Sequence, residues 1–114
     1  GNWDTKAGDL EIIYKKCEVK GFSSIGPTSF GPTEKWDWLY FVDCTQSSEK
    51  MFKIYEIKLS NSDTKWQHIM VNKNETFITQ ANQGRRPRLT FIEIKKQLKN
   101  GCKLLFSGHL SELF

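Results

Sequence analysis

Four short stretches of the chain have the hydrophobic patterns typical of β-strands. Residues 10–14 and 17–20 alternate apolar with polar side chains, whereas residues 36–43 and 51–59 are richer in aromatic and branched ones. Residues 90–93 form a capping box that opens a helix, which residues 100–101 end, and residues 103–106 fit a last strand. This order predicts an α+β fold with a mixed or antiparallel central sheet and flanking helices.

The segment between the second and third predicted strands, residues 21–35, has no hydrophobic period. It contains the run GPTSFGP and is long for a compact domain. Loops of this length often act as lids or binding loops. We therefore treat this segment as a candidate binding loop.

Length and composition favour a single globular domain over residues 1–114. The three cysteines are isolated, which suits a reducing compartment, and no apolar run approaches the roughly 20 residues that cross a bilayer. No signal-peptide pattern opens the sequence. We expect a cytoplasmic protein without a membrane partner.

Charge is segregated along the chain. The formal net charge is +4, but residues 84–103 alone carry +6, so the remainder is net acidic. All three arginines lie in residues 85–88, around a proline that stiffens the segment. Arginine suits phosphates and guanine edges, so we expect a phosphate-binding face that could contact nucleic acid. The predicted contacts are Gln83, Arg85, Arg86 and Arg88, with Ser23, Ser24, Thr28 and Ser29 of the loop.

The candidate chemistry is carried by Asp9 and the run Glu18-Val19-Lys20. Two carboxylates on one sheet face can bind a hard divalent cation, usually Mg²⁺ beside phosphate, and the carbonyl of Val19 could add a third oxygen. Lys20 lies two residues after Glu18 and therefore on the same strand face, a mostly polar face opposite Cys17 and Val19. There it could hold or deprotonate an attacking water.

Glu-x-Lys also occurs at residues 56–58 and 93–95, so the spacing alone does not select a site. The second pair lies in the predicted helix, where residues two apart point in different directions. We interpret the pair at residues 56–58 as part of the solvated face of a strand. Context favours Glu18 and Lys20, because an acid-bearing strand precedes them and the candidate binding loop follows.

Residues 8–11 (GDLE) and 18–21 (EVKG) resemble the core of the PD-(D/E)xK nucleases, the superfamily of most type II restriction endonucleases. Residues 26–43 and 82–88 are similar to segments of restriction-type endonucleases from bacteria and large DNA viruses. The resemblance implies Asp9 and Glu18 as metal ligands and Lys20 as the water-activating residue. It also implies Mg²⁺, replaceable by Mn²⁺, and cleavage of DNA phosphodiester bonds on a restriction-endonuclease-like core.

Two features depart from that pattern. Gly8 stands where the family usually has proline. A hairpin tip at residues 15–16 sets Glu11 opposite Lys20, whereas a tip at residues 13–14 sets Asp9 opposite Glu18, as a shared metal requires. We follow the second register and keep Glu11 as an auxiliary or substitute ligand.

The main hypothesis is therefore a Mg²⁺-dependent DNA endonuclease of restriction type, in which an activated water attacks phosphorus. One alternative is a non-catalytic DNA-binding module or a subunit of a larger assembly, and another is a repair or junction-resolving nuclease on the same core. The short length suggests the catalytic portion of a longer protein. A homodimer, or association with another subunit or an N-terminal segment, stays open.

Overall fold

The structure is a computed structural model that describes residues 15–24 and 26–113. The strand predicted at residues 10–14 lies outside the described residues, and so do Asp9 and Glu11. The hairpin register that relates these acids to Glu18 therefore stays a prediction.

The central sheet has four strands in the described part of the chain. They are β1 (Cys17–Phe22), β3 (Trp38–Asp43), β4 (Met51–Ile57) and β6 (Lys103–His109), in the order β1-β3-β4-β6. Strand β1 runs parallel to β3, whereas the β3–β4 and β4–β6 pairs are antiparallel. The sheet is mixed, and the predicted α+β class is confirmed.

Two short α-helices accompany the sheet, α1 (Phe77–Asn82) and α2 (Phe91–Leu98). Helix α2 begins as its sequence predicts, because the side chain of Thr90 accepts a hydrogen bond from the Glu93 backbone N–H at 3.2 Å. It ends at Leu98, two residues before the predicted stop, and a 3₁₀ turn follows over Lys99–Gly101. No helix among the described residues is long and apolar enough to cross a membrane.

The core lies between one face of the sheet and a layer made by the helices and loops. Phe91 of α2 packs against Phe41 and Tyr55 of the sheet, with ring centroids 4.9 and 4.5 Å apart. Phe30, from the candidate binding loop, is fully buried and contacts four aromatic rings, those of Trp36, Phe41, Trp66 and Phe77. The loop is thus anchored by its own aromatic side chain.

A second sheet of two short strands joins the loop to the arginine segment. Strand β2 (Thr28–Ser29) pairs antiparallel with β5 (Arg88–Leu89). The Phe30 backbone N–H extends this pairing by donating to the Pro87 carbonyl at 2.9 Å. The expectation that residues 21–35 lack regular structure is therefore wrong at β2, because the partner that makes it a strand lies almost sixty residues away in the sequence.

We expect Phe30→Ala to lower the free energy of unfolding by about 3–5 kcal/mol, because it empties a fully buried aromatic site. Phe52→Ala, at a half-buried position of β4, is the control and should cost less. Urea unfolding of both variants measures the difference. Equal losses would contradict a core centred on Phe30.

Candidate active site

Glu18 and Lys20 lie on the face of β1 that is turned toward the core. Along β1 the even-numbered residues are half-buried and the odd-numbered ones are exposed. Glu18 is the register partner of Leu39 and Lys20 that of Phe41, both fully buried. The prediction of a mostly polar face is wrong, because the face is shared with core residues, whereas Val19 on the other face is 58% exposed. A strand that turns charges inward and valine outward reverses the usual pattern.

The Lys20 ammonium contacts a carboxylate, a carbonyl and an aromatic ring. It donates to the Ser29 carbonyl at 3.1 Å and to the two carboxylate oxygens of Glu34 at 2.8 and 3.1 Å. It also lies 5.0 Å from the centroid of the Phe30 ring. Glu18 is further away, with Oε1 at 3.9 Å from Nζ. Only 13% of the Lys20 side chain is exposed, and such a charge needs these partners to remain there.

Glu34 is a member of the site that the sequence patterns do not predict. It is the only acidic residue of the candidate binding loop, and this is the one signal that could have found it. Burial raises the pKa of Glu34. The hydrogen bonds from Lys20 and the Gly31 backbone, together with the charges of Lys20 and Arg86, outweigh burial, so the pKa falls below the ordinary 4.5. The carboxylate is therefore held ionised.

The arginine segment begins where α1 ends. Gly84, with φ +75°, adopts the left-handed conformation that commonly ends a helix. The N–H groups of Gly84 and Arg85 donate to the carbonyls of Ala81 and Gln80 at 3.0 Å each, the two bonds of a Schellman motif. The end of α1 therefore fixes the backbone direction of the arginine segment, residues 85–88.

The three arginines have different surroundings. Arg85 forms an ion pair with Glu75 and hydrogen-bonds Gln83, so both predicted DNA contacts are engaged within the protein. Arg86 donates from Nε to the Ser29 hydroxyl at 3.1 Å. Arg88 is exposed, and within residues 15–24 and 26–113 it has no ion-pair partner.

Buried Pro87 fixes the backbone between the two arginines that flank it. Arg86 comes close to the carboxylate site, because Gly31 lacks a side chain. A Cβ built at Gly31 would lie 3.1 Å from the Glu34 carboxylate and 3.4 Å from the Arg86 guanidinium. Ser29 completes the connection, since its carbonyl accepts from Lys20 and its hydroxyl from Arg86. The structure therefore brings together Glu18, Lys20, Ser29, Glu34 and Arg86.

The other loop residues lie around this group. Thr28 is half-buried and pairs with Leu89, whereas Ser23 and Ser24 are exposed in the bend that follows β1. Ser23 and Ser24 make no hydrogen bond to the other described residues.

The oxygen atoms of this site meet only some of the requirements for binding a hard cation. Magnesium prefers oxygen ligands and commonly uses one or two carboxylates with water and substrate phosphates. Glu18 has a side chain that is one-third exposed. The carbonyls of Lys16 and Phe22 point toward β3, and because carbonyls alternate along a strand, that of Val19 points to the opposite edge. No three acidic, histidine or cysteine residues cluster within the described ranges, and Asp9 and Glu11 lie outside them.

The other two Glu-x-Lys pairs, at residues 56–58 and 93–95, make contacts away from Glu18 and Lys20. Glu56 accepts from the Tyr40 hydroxyl at 2.9 Å, and Lys58 lies over the ring of Trp38. Burial and the bond to Glu56 raise the pKa of Tyr40 to about 12. The register places Glu56 on the face of the sheet opposite that of Glu18. The third pair lies on α2, where Lys95 stacks on the Tyr55 ring.

Comparison with known proteins agrees with the resemblance found in the sequence. Residues 4–98 match the family model described as Bsp6I restriction endonuclease, and the chain belongs to this family. The type II restriction enzyme Bsp6I from Bacillus sp. (strain RFL6) is 41% identical over 66 residues, which are 58% of this chain and 36% of that protein. The chain thus matches about a third of its relative's length. No solved structure matches significantly.

Removing the Glu34 charge should change how stability depends on pH. A pKa lowered by folding contributes stability that is present above 4.5 and is lost as the pH falls through the lower folded value. We therefore expect the stability difference between wild type and Glu34→Gln to be largest near pH 7 and to shrink below pH 4.5.

Urea unfolding at pH 7 and at pH 3.5 measures this difference. Glu49→Gln, on an exposed turn, is the control and should stay within about 0.5 kcal/mol of wild type at both values. A Glu34→Gln difference that is equal at the two pH values would contradict the ionic contact.

Proposed function

We propose that this chain carries the catalytic portion of a Mg²⁺-dependent DNA endonuclease of restriction type, built on a restriction-endonuclease-like PD-(D/E)xK core. One observation carries the proposal. The Glu18–Lys20 pair of β1 faces the interior of the domain and is connected through Ser29 and Glu34 to the arginine segment. Membership of the restriction endonuclease family supports the same conclusion.

Each member of the site has a distinct role in this proposal. Glu18, with Asp9 and the Val19 carbonyl, would hold Mg²⁺, and Glu11 is the auxiliary or substitute ligand; Mn²⁺ would replace Mg²⁺. When bound, the ion would polarise the scissile phosphate and stabilise the leaving oxygen. Lys20 would hold the attacking water and orient it toward phosphorus through one of its three N–H donors.

Double-stranded DNA is the proposed substrate, and the arginine segment and β2 form the proposed contact surface. Arg86 and Arg88 flank buried Pro87, so their guanidinium groups start from a fixed backbone. Arg85 would reach DNA only by giving up its contacts with Glu75 and Gln83, and Gln83 only by giving up its contact with Arg85. Ser23, Ser24, Thr28 and Ser29 would supply hydroxyl donors at the edge of the same surface.

We further propose that the complete enzyme acts in the cytoplasm of its host and pairs with a second copy or a further subunit. A two-fold symmetric cut in duplex DNA requires two catalytic centres, and the chain matches only about a third of its relative. Binding of duplex DNA without cleavage would instead favour a non-catalytic module. Preference for branched DNA would favour a junction-resolving nuclease.

Replacing the proposed catalytic groups should abolish cleavage and preserve DNA binding. We expect Glu18→Ala and Lys20→Ala each to slow Mg²⁺-dependent cleavage of a duplex fragment at least about a hundredfold, since each removes a group that acts on the transition state. Glu49→Ala and Lys73→Ala are matched exposed controls. Gel-based cleavage rates and fluorescence-anisotropy affinities separate the two effects. Unchanged cleavage by either site variant would overturn the assignment.

The three arginines should differ in their contribution to DNA affinity. Arg88→Ala should reduce the slope of log K against log salt by about one, as expected for one lost phosphate contact. Arg85→Ala should change the slope less, because Arg85 is paired with Glu75. Anisotropy titrations between low and moderate salt measure both slopes, and Lys96→Ala on α2 is the control. A larger change for Arg85→Ala would contradict the proposed surface.

A further inference from the structure

Lys20 is held mainly by Glu34, a residue outside its own motif. The motif partner Glu18 lies 3.9 Å from Nζ, beyond hydrogen-bond distance, whereas both oxygens of Glu34 lie within 3.1 Å. The Ser29 carbonyl accepts a further hydrogen bond, and the Phe30 ring lies 5.0 Å from Nζ. The position of the ammonium group is therefore set by the loop that follows β1.

A lysine side chain needs such external support to be placed accurately. Its four-carbon stem has many rotamers, and its ammonium is a strongly hydrated point charge. Strand β1 fixes only where the stem begins. With a neutral side chain at position 34, the nearly buried ammonium would lack its closest charged partner, and reaching solvent would become favourable.

The same carboxylate also faces the arginine segment. The positive charge of Arg86 helps to lower the pKa of Glu34, and Gly31, which has no side chain, leaves room for both groups. Arg86 is additionally tied to Ser29, whose carbonyl is a Lys20 partner. Glu34 thus stands between the group proposed to orient water and a group proposed to bind DNA.

We propose that Glu34 is a positioning residue for Lys20, holding its ammonium beside Glu18 in the orientation that cleavage requires. This inference rests on the proposed function, because a water-orienting role for Lys20 gives the position its importance. Glu34 acts through Lys20 and does not touch the reacting atoms. Its loss should therefore affect turnover much more than DNA affinity.

The first test compares Glu34→Gln, which keeps shape and removes charge, with Glu34→Asp, which keeps charge on a shorter stem. For Mg²⁺-dependent cleavage by the full chain, we expect Glu34→Gln to lower kcat about tenfold to a hundredfold with KM within about twofold. Glu34→Asp should recover part of kcat. Glu49→Gln is the matched control and should match wild type.

The second test reports on Lys20 without any cleavage. The ¹⁵N-edited NMR signal of a hydrogen-bonded, nearly buried ammonium is protected from exchange, so we expect one such signal in wild type and Glu49→Gln. It should be absent in Lys20→Ala and lost in Glu34→Gln. Glu34→Asp, which should keep the fold if Glu34→Gln does not, should give a weakened signal and an intermediate kcat.

The outcomes distinguish the two proposals. A wild-type chain that cuts no DNA with Mg²⁺ or Mn²⁺ overturns the proposed function and this inference with it. Wild-type cleavage combined with an undiminished kcat in Glu34→Gln, or in Glu34→Asp if only that variant folds, overturns the inference alone. A loss of kcat/KM that comes from a higher KM, with kcat unchanged, also overturns the inference, because that pattern indicates weaker DNA binding.

Discussion

The arrangement of this protein depends on one nearly buried ammonium group. Lys20 lies on the inward face of β1, where its charge is tolerated because a carboxylate, a carbonyl and an aromatic ring surround it. Each of these partners comes from the candidate binding loop, at residues 29, 30 and 34. The loop must therefore adopt one conformation for the charge to be accommodated, and Phe30 in the core anchors it there.

The two-stranded sheet extends this constraint to the arginine segment. Strand β2 pairs with β5, and the Pro87 carbonyl accepts from Phe30, so the backbone beside Lys20 is also the backbone beside the arginines. The chain thereby brings the carboxylates of Glu18 and Glu34 close to the basic arginine segment. A phosphate between a bound cation and arginine would have compensating charge on both sides, which is the electrostatic requirement for binding and cleaving a phosphodiester.

Local patterns predicted β1, β3, β4, β6 and α2, because strand alternation and the Thr90 cap are short-range properties, but they did not predict α1. They also selected Glu18 and Lys20, which share a strand face. They did not predict that this face is turned inward, since burial depends on what packs against β1. Glu34 was not predicted for a similar reason, because its contact with Lys20 forms across a loop that has no hydrophobic period. The short strands β2 and β5 exist only as each other's partners, so neither has a local signal.

We propose that this group of residues cleaves DNA at a defined sequence, and one plasmid assay tests this activity directly. The 114-residue chain is incubated with supercoiled plasmid with and without Mg²⁺, and the ends of any products are sequenced. We expect cleavage only in the presence of Mg²⁺, with one short common sequence at every end. Plasmid that is bound but remains uncut in Mg²⁺ and in Mn²⁺ would contradict it.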